Sequence, residues 1–296
     1  MNSKIFYTRE HTRTYYNFRD NNKPVTLVFN DGLACDGFAY NLIVDDFMPY
    51  YNILSWNYPG HGNAEIPLDK DNISVESYAS NLADLLEYLE LEKVIFLGHS
   101  LGVQVMLNYL LSGYGPKPLA CCYLCGAPGS IAQSLGNTDF FAKILPAIRM
   151  IGKLKPLPLR LFWQKVLPSE LSVKVALISG QVNPDHIDMD LLREYLRHVS
   201  RVDLDVFTRL IESAEAMKTA EEDLKEIDIP GLVIAAENDT LTPLSRSIEI
   251  EEWLPNSELR VLPNATHAAP AEFPGLIRDI IIDYLRRESL FEAETT

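Results

Sequence analysis

A serine between two glycines is the feature of this chain that points most directly to chemistry. Residues 98–102 read Gly-His-Ser-Leu-Gly, after an apolar run and before a helical pattern. A sharp turn from a strand into a helix exposes its central side chain above the sheet, and the flanking glycines let the two elements approach closely. The amino end of the helix adds N–H groups that can bind a developing oxyanion. The alternative is a glycine-rich turn that contains a serine by chance.

A serine hydroxyl is a weak nucleophile near neutral pH and needs a base. Of the six histidines, His267 follows the last predicted strand. A loop in that place lies at the edge of the sheet that carries the serine turn. We therefore predict that Ser100 is the nucleophile and His267 the base. His99 is interpreted as a buried structural residue, while His61 is either structural or a contact at the mouth of the pocket.

The base in turn needs a carboxylate that orients it. Asp239 follows the predicted strand 231–236 at its carboxyl end and precedes Thr-Leu-Thr-Pro, which starts a helix. Glu237 is the competing candidate, whereas Asp228 precedes the strand and so lies at the opposite edge. We favour Asp239, which gives the order nucleophile, acid, base along the chain.

The elements that would position these residues alternate between strands and helices. Strands are predicted at 4–7, 13–17, 25–29, 52–56, 93–97, 119–124, 231–236 and 258–262, the first two as an antiparallel hairpin at a sheet edge. Helices are predicted at 38–47 and 75–90, from Gly102 to about Ser112, and at 140–151, 161–167, 190–198, 202–216, 243–253 and 273–287. Such alternation is typical of the α/β class, with a mostly parallel central sheet flanked by helices. The purely helical stretch is too long for a loop, so we predict a core of residues 1–128 and 226–296 with a helical cap inserted at 129–225.

The order of elements, the serine turn and the acid-then-histidine spacing together resemble the α/β-hydrolase fold superfamily over the whole chain. Residues 59–62, Pro-Gly-His-Gly, also look like a turn common in its capped members. The resemblance implies a cap that roofs the pocket and an oxyanion hole made of two backbone N–H groups. Leu101 supplies one of them, directly after the nucleophile. Alignment of the loop after the strand at 25–29 makes Leu33 the other.

Asp31 departs from this resemblance, because many members have a histidine at that position. An ionised carboxylate close to an oxyanion would oppose catalysis. Asp31 is therefore expected either to turn away and accept backbone N–H groups in an Asx-type turn, or to contact a substrate donor or water.

These residues predict two-step acyl transfer, in which Ser100 attacks a carbonyl and His267 relays the proton to the leaving group. The expected enzyme is a serine hydrolase of a carboxylic ester or thioester that needs no metal and no organic cofactor. The serine argues against the dehalogenases and epoxide hydrolases of the superfamily, which resemble it in fold but use an aspartate. A carbon–carbon bond hydrolase, an acyltransferase and a non-catalytic binding protein of the same fold stay open as alternatives.

The apolar residues of the predicted cap bear on the substrate. Phe141 and Trp163 are among them, and a small hydrophobic substrate that contacts them is the expectation. The alternative is that these residues only pack the cap onto the core.

Composition limits the partners and the compartment. The formal net charge of −15 disfavours nucleic-acid binding. No apolar run reaches the ~20 residues of a membrane helix, and residues 1–10 do not read as a secretory signal. We expect a cytoplasmic protein without stable membrane insertion. Three of the four cysteines lie at 121–125 in a strand-like run without a second ligand pair for zinc, so buried reduced thiols are expected. The oligomeric state is not readable from the sequence.

Overall fold

The computed structural model describes residues 3–37, 40–130, 146–147, 150, 154 and 157–291. Its strands are β1 (Lys4–Tyr7), β2 (Arg13–Arg19), β3 (Thr26–Asn30), β4 (Asn52–Trp56), β5 (Val94–His99), β6 (Ala120–Leu124), β7 (Gly231–Ala236) and β8 (Ser257–Leu262). They form one eight-stranded sheet in the order β1-β2-β4-β3-β5-β6-β7-β8. Every predicted strand is therefore present.

The sheet is parallel except at one edge. β1 and β2 form an antiparallel pair, β2 pairs antiparallel with β4, and the strands from β4 to β8 are parallel. The predicted α/β class, with its edge hairpin, is confirmed. Because the parallel strands point the same way, the loops after β3, β5, β7 and β8 all leave from one edge of the sheet.

Helices flank the sheet and continue through the stretch between β6 and β7. They are α1 (Val44–Phe47), α2 (Val75–Tyr88), α3 (Leu101–Ser112), α4 (Leu157–Val166), α5 (Glu170–Ile178), α6 (Met189–Arg201), α7 (Leu204–Ala216), α8 (Glu221–Lys225), α9 (Leu244–Trp253), α10 (Ala269–Glu272) and α11 (Pro274–Arg287). The helix at 170–178 was not predicted from the sequence. Helix α1 is shorter than predicted, because residues 40–43 form turns. Most of the helix predicted at 140–151 lies outside the described residues.

Both faces of the sheet are buried, which explains why its central strands are apolar without alternation. In β5, for example, Phe96 packs with α2, α3 and α9 on one face, whereas Leu97 packs with α1 and α11 on the other. Ser74 caps α2 by accepting the N–H of Ser77 at 3.1 Å, as its position before the helix predicts.

The helices between β6 and β7 pack in two different ways. Val206 and Leu210 of α7 belong to the same apolar cluster as the sheet and α2. A separate small cluster joins α5 and α6 through Val173, Leu192 and Leu196. Helix α6 takes part in both clusters, because its Val199 belongs to the cluster of the sheet.

The described residues were compared with two kinds of feature, a membrane-spanning helix and a metal-binding cluster. None of the helices described is long and apolar enough to cross a membrane, and no cluster of metal-ligating side chains occurs in that part of the chain. The four cysteines are buried and free. Burial raises the pKa of Cys121 to about 12, so this thiol stays protonated at neutral pH.

Candidate active site

Ser100 lies at a tight turn between β5 and α3. Its backbone has φ 54° and ψ −118°, a left-handed conformation that costs free energy in a non-glycine residue. The flanking glycines make the turn possible. A Cβ on Gly102 would overlap the carbonyl group of Asn30, and a Cβ on Gly98 would overlap the sulfur of Met106. The turn therefore needs glycine on both sides of a residue that it holds strained.

The three residues predicted as nucleophile, base and acid come together at the carboxyl edge of the sheet. Oγ of Ser100 lies 2.9 Å from Nε2 of His267. Nδ1 of His267 lies 2.8 Å from Oδ2 of Asp239. Both distances are within hydrogen-bond range, so the imidazole bridges a hydroxyl and a carboxylate that are separated by 139 positions in the sequence. This arrangement can remove a proton from a serine and stabilise the imidazolium that results.

Asp239 is buried, yet several donors favour its charged form. Oδ1 accepts the N–H groups of Leu241 and Thr242, both at 2.8 Å, and the hydroxyl of Thr242 lies 2.8 Å from Oδ2. Burial opposes ionisation, but the charge of His267 and these hydrogen bonds outweigh it and hold the pKa of Asp239 below its ordinary value. The carboxylate is thus charged at neutral pH and can fix the tautomer of His267.

The predicted oxyanion donors flank the nucleophile. Leu101 begins α3, and Leu33 lies in the loop after β3. Both line the cavity in front of Ser100. Within the described part of the chain, neither backbone N–H has a hydrogen-bond partner. Gly32 lets this loop approach, because a Cβ there would lie 3.2 Å from Cβ of Ser100. Both predicted donors thus belong to residues that line the cavity at Ser100.

Asp31 faces away from the cavity. Its Oδ2 accepts the backbone N–H of Gly37, and the residue is not among those that line the cavity at Ser100. Oδ1 is buried and has no hydrogen-bond partner among the described residues. Burial raises the pKa of Asp31 to about 7. Asp31 thus accepts a backbone N–H as expected, but from Gly37, six positions on, so it forms no Asx-type turn. The expected substrate contact is not found, because Asp31 lines neither cavity.

His61 and His99 are both buried, but they differ in what they contact. Nδ1 of His61 lies 3.3 Å from the carbonyl oxygen of Pro59, and burial lowers the pKa of His61 to about 4. His61 does not line the cavity, which corresponds to its structural interpretation. Nε2 of His99 lies 3.2 Å from the carbonyl oxygen of His267. Burial, followed by the neighbouring His267, lowers the pKa of His99 to about 3, so a neutral ring holds the backbone of the base.

A cavity of about 150 Å³ opens in front of Ser100, and a second cavity of about 380 Å³ adjoins it. Tyr195 and Phe207, from the helices between β6 and β7, line both. Trp163 lines the larger one, with its ring 4.8 Å from that of Phe207. Phe141, the other predicted substrate contact, lies outside the described residues.

Sequence reasoning missed a second buried carboxylate near the base. Glu272 of α10 accepts the N–H of Thr266 at 2.9 Å and its hydroxyl at 2.6 Å. It also accepts the N–H of Asn183, which lies between α5 and α6, at 2.6 Å. Glu237, the competitor for the acid role, instead accepts the N–H of Asn264 at 2.9 Å and does not reach His267. A short sequence pattern could not reveal Glu272, because its partners come from two distant segments.

Comparison with known proteins places this geometry in a family. The sequence profile described as the alpha/beta hydrolase fold matches residues 26–274. The chain belongs to that family. A curated relative of this α/β-hydrolase chain is a protein of Bacillus subtilis (strain 168) described as the uncharacterized hydrolase YugF. It is 26% identical over 287 residues, which cover 95% of this chain and 97% of the relative.

Two solved structures that are named for different activities share the fold. A bromoperoxidase from Bacillus anthracis superposes with a TM-score of 0.78 at 17% identity, covering 96% of this chain and 100% of its own. A thermophilic esterase from Thermogutta terrifontis gives 0.76 at 14% identity, with 97% and 99% covered. Because such different enzymes have one fold, the reaction of this α/β hydrolase must be argued from its own site.

Proposed function

We propose that this α/β hydrolase is a serine hydrolase that cleaves a carboxylic ester or thioester of a small hydrophobic substrate. The observation that carries the proposal is the continuous hydrogen-bonded chain from Ser100 through His267 to the charged Asp239. A hydroxyl that is held 2.9 Å from an imidazole nitrogen can be deprotonated as it attacks.

The proposed mechanism has two half-reactions. In the first, Ser100 attacks the carbonyl carbon while Nε2 of His267 takes its proton, and the N–H groups of Leu33 and Leu101 bind the oxyanion. The protonated His267 then donates to the leaving oxygen or sulfur, which leaves an acyl-serine. In the second, His267 deprotonates a water molecule that attacks the acyl group, and the same N–H groups bind the second oxyanion before Ser100 recovers its proton.

The lining of the cavities supports a hydrophobic substrate. Beyond the reacting residues, the larger cavity is lined mainly by aliphatic and aromatic side chains, among them Leu192, Leu196 and Phe207. We propose that residues 129–225 act as a cap, since α4, α6 and α7 from this stretch line the cavities next to the candidate nucleophile. An apolar lining favours an acyl or alkyl group over a polar one.

Labelling with a fluorophosphonate probe tests the nucleophile. The probe phosphonylates an activated serine, so we expect labelling of the wild-type protein and its loss in Ser100→Ala and in His267→Ala. Ser112→Ala is a matched control, because Ser112 is an exposed serine at the far end of the same helix. Persistent labelling of Ser100→Ala, or no labelling of any folded sample, would contradict the proposal and favour a non-catalytic binding protein.

Hydrolysis of nitrophenyl esters of increasing acyl length tests the substrate class. An apolar cavity predicts that kcat/KM rises from acetate to medium-length acyl groups, because each added methylene transfers apolar area from water. A preference for acetate alone would contradict the hydrophobic substrate while leaving the serine chemistry intact.

A further inference from the structure

The cap has an exposed surface that is both apolar and basic. Helix α5 is apolar on two sides: its inner residue Val173 is buried in the small cap cluster, while Leu171, Val175 and Ile178 are 62%, 56% and 86% exposed. The exposed residues have spacings of four and three positions, which place them along one side of the helix. A helix in contact only with water on that side would have polar residues there.

Helix α4 repeats this feature. Leu157, Leu161 and Phe162 are exposed, and Lys165 follows Leu161 by one helical turn. In the same helix Trp163 lines the larger cavity beside His267. The helix thus has exposed apolar residues on a short element that also lines the candidate active site.

The charge of this part of the chain is opposite to that of the rest. Residues 140–169 contain six basic side chains and no acidic one, in a chain with a formal net charge of −15. Helix α5 adds Lys174, which is exposed. The acidic residue of α5, Glu170, forms an ion pair with Arg193 of α6 at 2.8 Å. Of the six basic residues, Arg160 and Lys165 lie in the described helix α4, where Arg160 pairs with Asp203. The exposed Lys165 and Lys174 therefore place positive charge on the two helices that expose the apolar side chains.

We propose that the exposed residues of α4 and α5 dock the protein on a membrane surface that contains anionic lipids. We name them the cap surface: Leu157, Leu161, Phe162, Lys165, Leu171, Lys174, Val175 and Ile178. Apolar side chains that enter the interface and lysines that contact anionic headgroups are the two features that hold amphipathic helices on such bilayers. The proposal does not depend on the proposed reaction, although it would place the cavity next to hydrophobic substrates.

A second copy of this chain explains the cap surface less well. In a symmetric dimer the same patch meets itself, so the lysines of the two copies would be brought together. An anionic bilayer instead neutralises them. Charge complementarity thus favours the lipid surface over self-association.

Flotation of the full-length protein with vesicles tests the proposal. We expect binding to phosphatidylcholine vesicles that contain about 30% phosphatidylglycerol, and at least about tenfold weaker partitioning to phosphatidylcholine alone or in ~1 M salt. Equal partitioning to both kinds of vesicle, or binding to neither, would overturn the proposal. If neither binds and light scattering shows a dimer, the cap surface belongs to a second copy.

Two sets of variants assign the binding to the cap surface. We expect Lys165→Glu with Lys174→Glu to lower partitioning by at least about tenfold, whereas Lys93→Glu with Lys117→Glu, at exposed positions outside the cap, leave it within about twofold. Both pairs change the net charge equally, so an equal loss in the two would overturn the assignment.

The apolar test follows the same design. The triple variant Leu171→Ser, Val175→Ser and Ile178→Ser should lose vesicle binding, while the control triple Ile66→Ser, Leu68→Ser and Leu276→Ser, at exposed apolar positions elsewhere, should retain it. Fluorophosphonate labelling in the absence of vesicles should be unchanged in both triples, because none of these residues lines the cavities. Retained binding by the first triple, with unchanged labelling, would show that another surface docks.

Discussion

Burial changes the pH at which Asp31 becomes charged. The residue is 4% exposed, with one oxygen bound to a backbone N–H and the other without a partner among the described residues. Its folded pKa of about 7 lies above the ordinary value for aspartate, because burial disfavours the charged form. In the folded protein Asp31 therefore ionises at a pH about three units higher than in the unfolded chain.

This difference predicts a pH-dependent stability. Between about pH 4 and 7 the unfolded chain has released the proton of Asp31 while the folded protein keeps it, so the free energy of unfolding falls as pH rises. Asp31→Asn keeps an acceptor for the N–H of Gly37 and cannot ionise. We expect the variant to gain about 2–3 kcal/mol of stability over wild type between pH 5 and pH 8, since only the two pH units below the folded pKa contribute, at about 1.4 kcal/mol each.

Urea unfolding at the two pH values measures the effect. Asp20→Asn, at an exposed position, is the control and should show the same difference from wild type at pH 5 and pH 8. If the Asp31→Asn difference is also equal at both pH values, the buried carboxyl does not titrate in this range.

Single residues could be predicted from the sequence where local geometry is decisive. Ser100, Asp239 and His267 each follow a strand, and the parallel sheet brings the ends of its strands to one edge, so their approach follows from topology. The burial of Asp31 and the partners of Glu272 depend on packing between distant segments. No local pattern specifies such contacts.

At the scale of elements, the loop that carries His267 is fixed at both ends by carboxylates. Glu272 binds Thr266, directly before the base, and also binds Asn183, in the stretch between β6 and β7 that we propose to be a cap. We expect Glu272→Gln to lower kcat by about 10-fold to 100-fold with little change in KM, because a displaced imidazole loses its alignment while the cavity lining is unchanged. Steady-state kinetics on a nitrophenyl ester would measure both constants.

Glu237→Gln is the matched control for this prediction. Glu237 binds the same loop at Asn264 and is exposed. Its substitution should change kcat by less than about threefold. A rise in KM at constant kcat in Glu272→Gln would mean that Glu272 shapes the cavity and does not position the base.

Helix α3 approaches the sheet at a position where only glycine fits. A Cβ on Gly102 would overlap the backbone carbonyl of β3, whereas a Cβ on Gly113, at the end of the same helix, would have no atom within 4 Å. We expect Gly102→Ala to lower the free energy of unfolding by at least about 3 kcal/mol. Gly113→Ala should cost about 1 kcal/mol, since only its φ of 65° is unfavourable for alanine. Equal losses in chemical denaturation would show that the clash is relieved.

Elements with strong local signals were predictable, and those that depend on tertiary contacts were not. The strand at 231–236 has the predicted bounds, because it is a continuous apolar run between turn residues. Helix α5 escaped prediction because its sequence, Glu-Leu-Ser-Val-Lys-Val-Ala-Leu-Ile, is apolar on both sides and rich in β-branched residues. The helical periodicity of its apolar residues is therefore weak.

For the molecule as a whole, the sequence predicted the α/β core but treated the cap as a single unit with its own packing. The apolar clusters divide it differently. Leu210 of α7 is part of the cluster that includes the sheet, whereas Leu192 of α6 belongs to the small cluster of α5 and α6. Helix α7 packs on the core through close contacts between distant residues. For example, Val206 of α7 lies so near Gly60 that a Cβ on Gly60 would come within 2.9 Å of it. A helical period alone cannot show this.

The two clusters predict different consequences for one kind of substitution. Leucine to alanine in a buried site costs about 2–5 kcal/mol. Leu210→Ala should therefore lower the Tm of the whole protein by about 5 °C, since its cluster unfolds with the sheet. Leu192→Ala should leave that transition nearly unchanged and speed amide hydrogen exchange mainly in α5 and the amino-terminal part of α6, because Val199 holds the other end of α6 in the cluster of the sheet. If both variants lowered the main Tm equally, with exchange raised throughout, the cap and the core would be one cooperative unit, and substrate entry would require a motion other than local opening of α5 and α6.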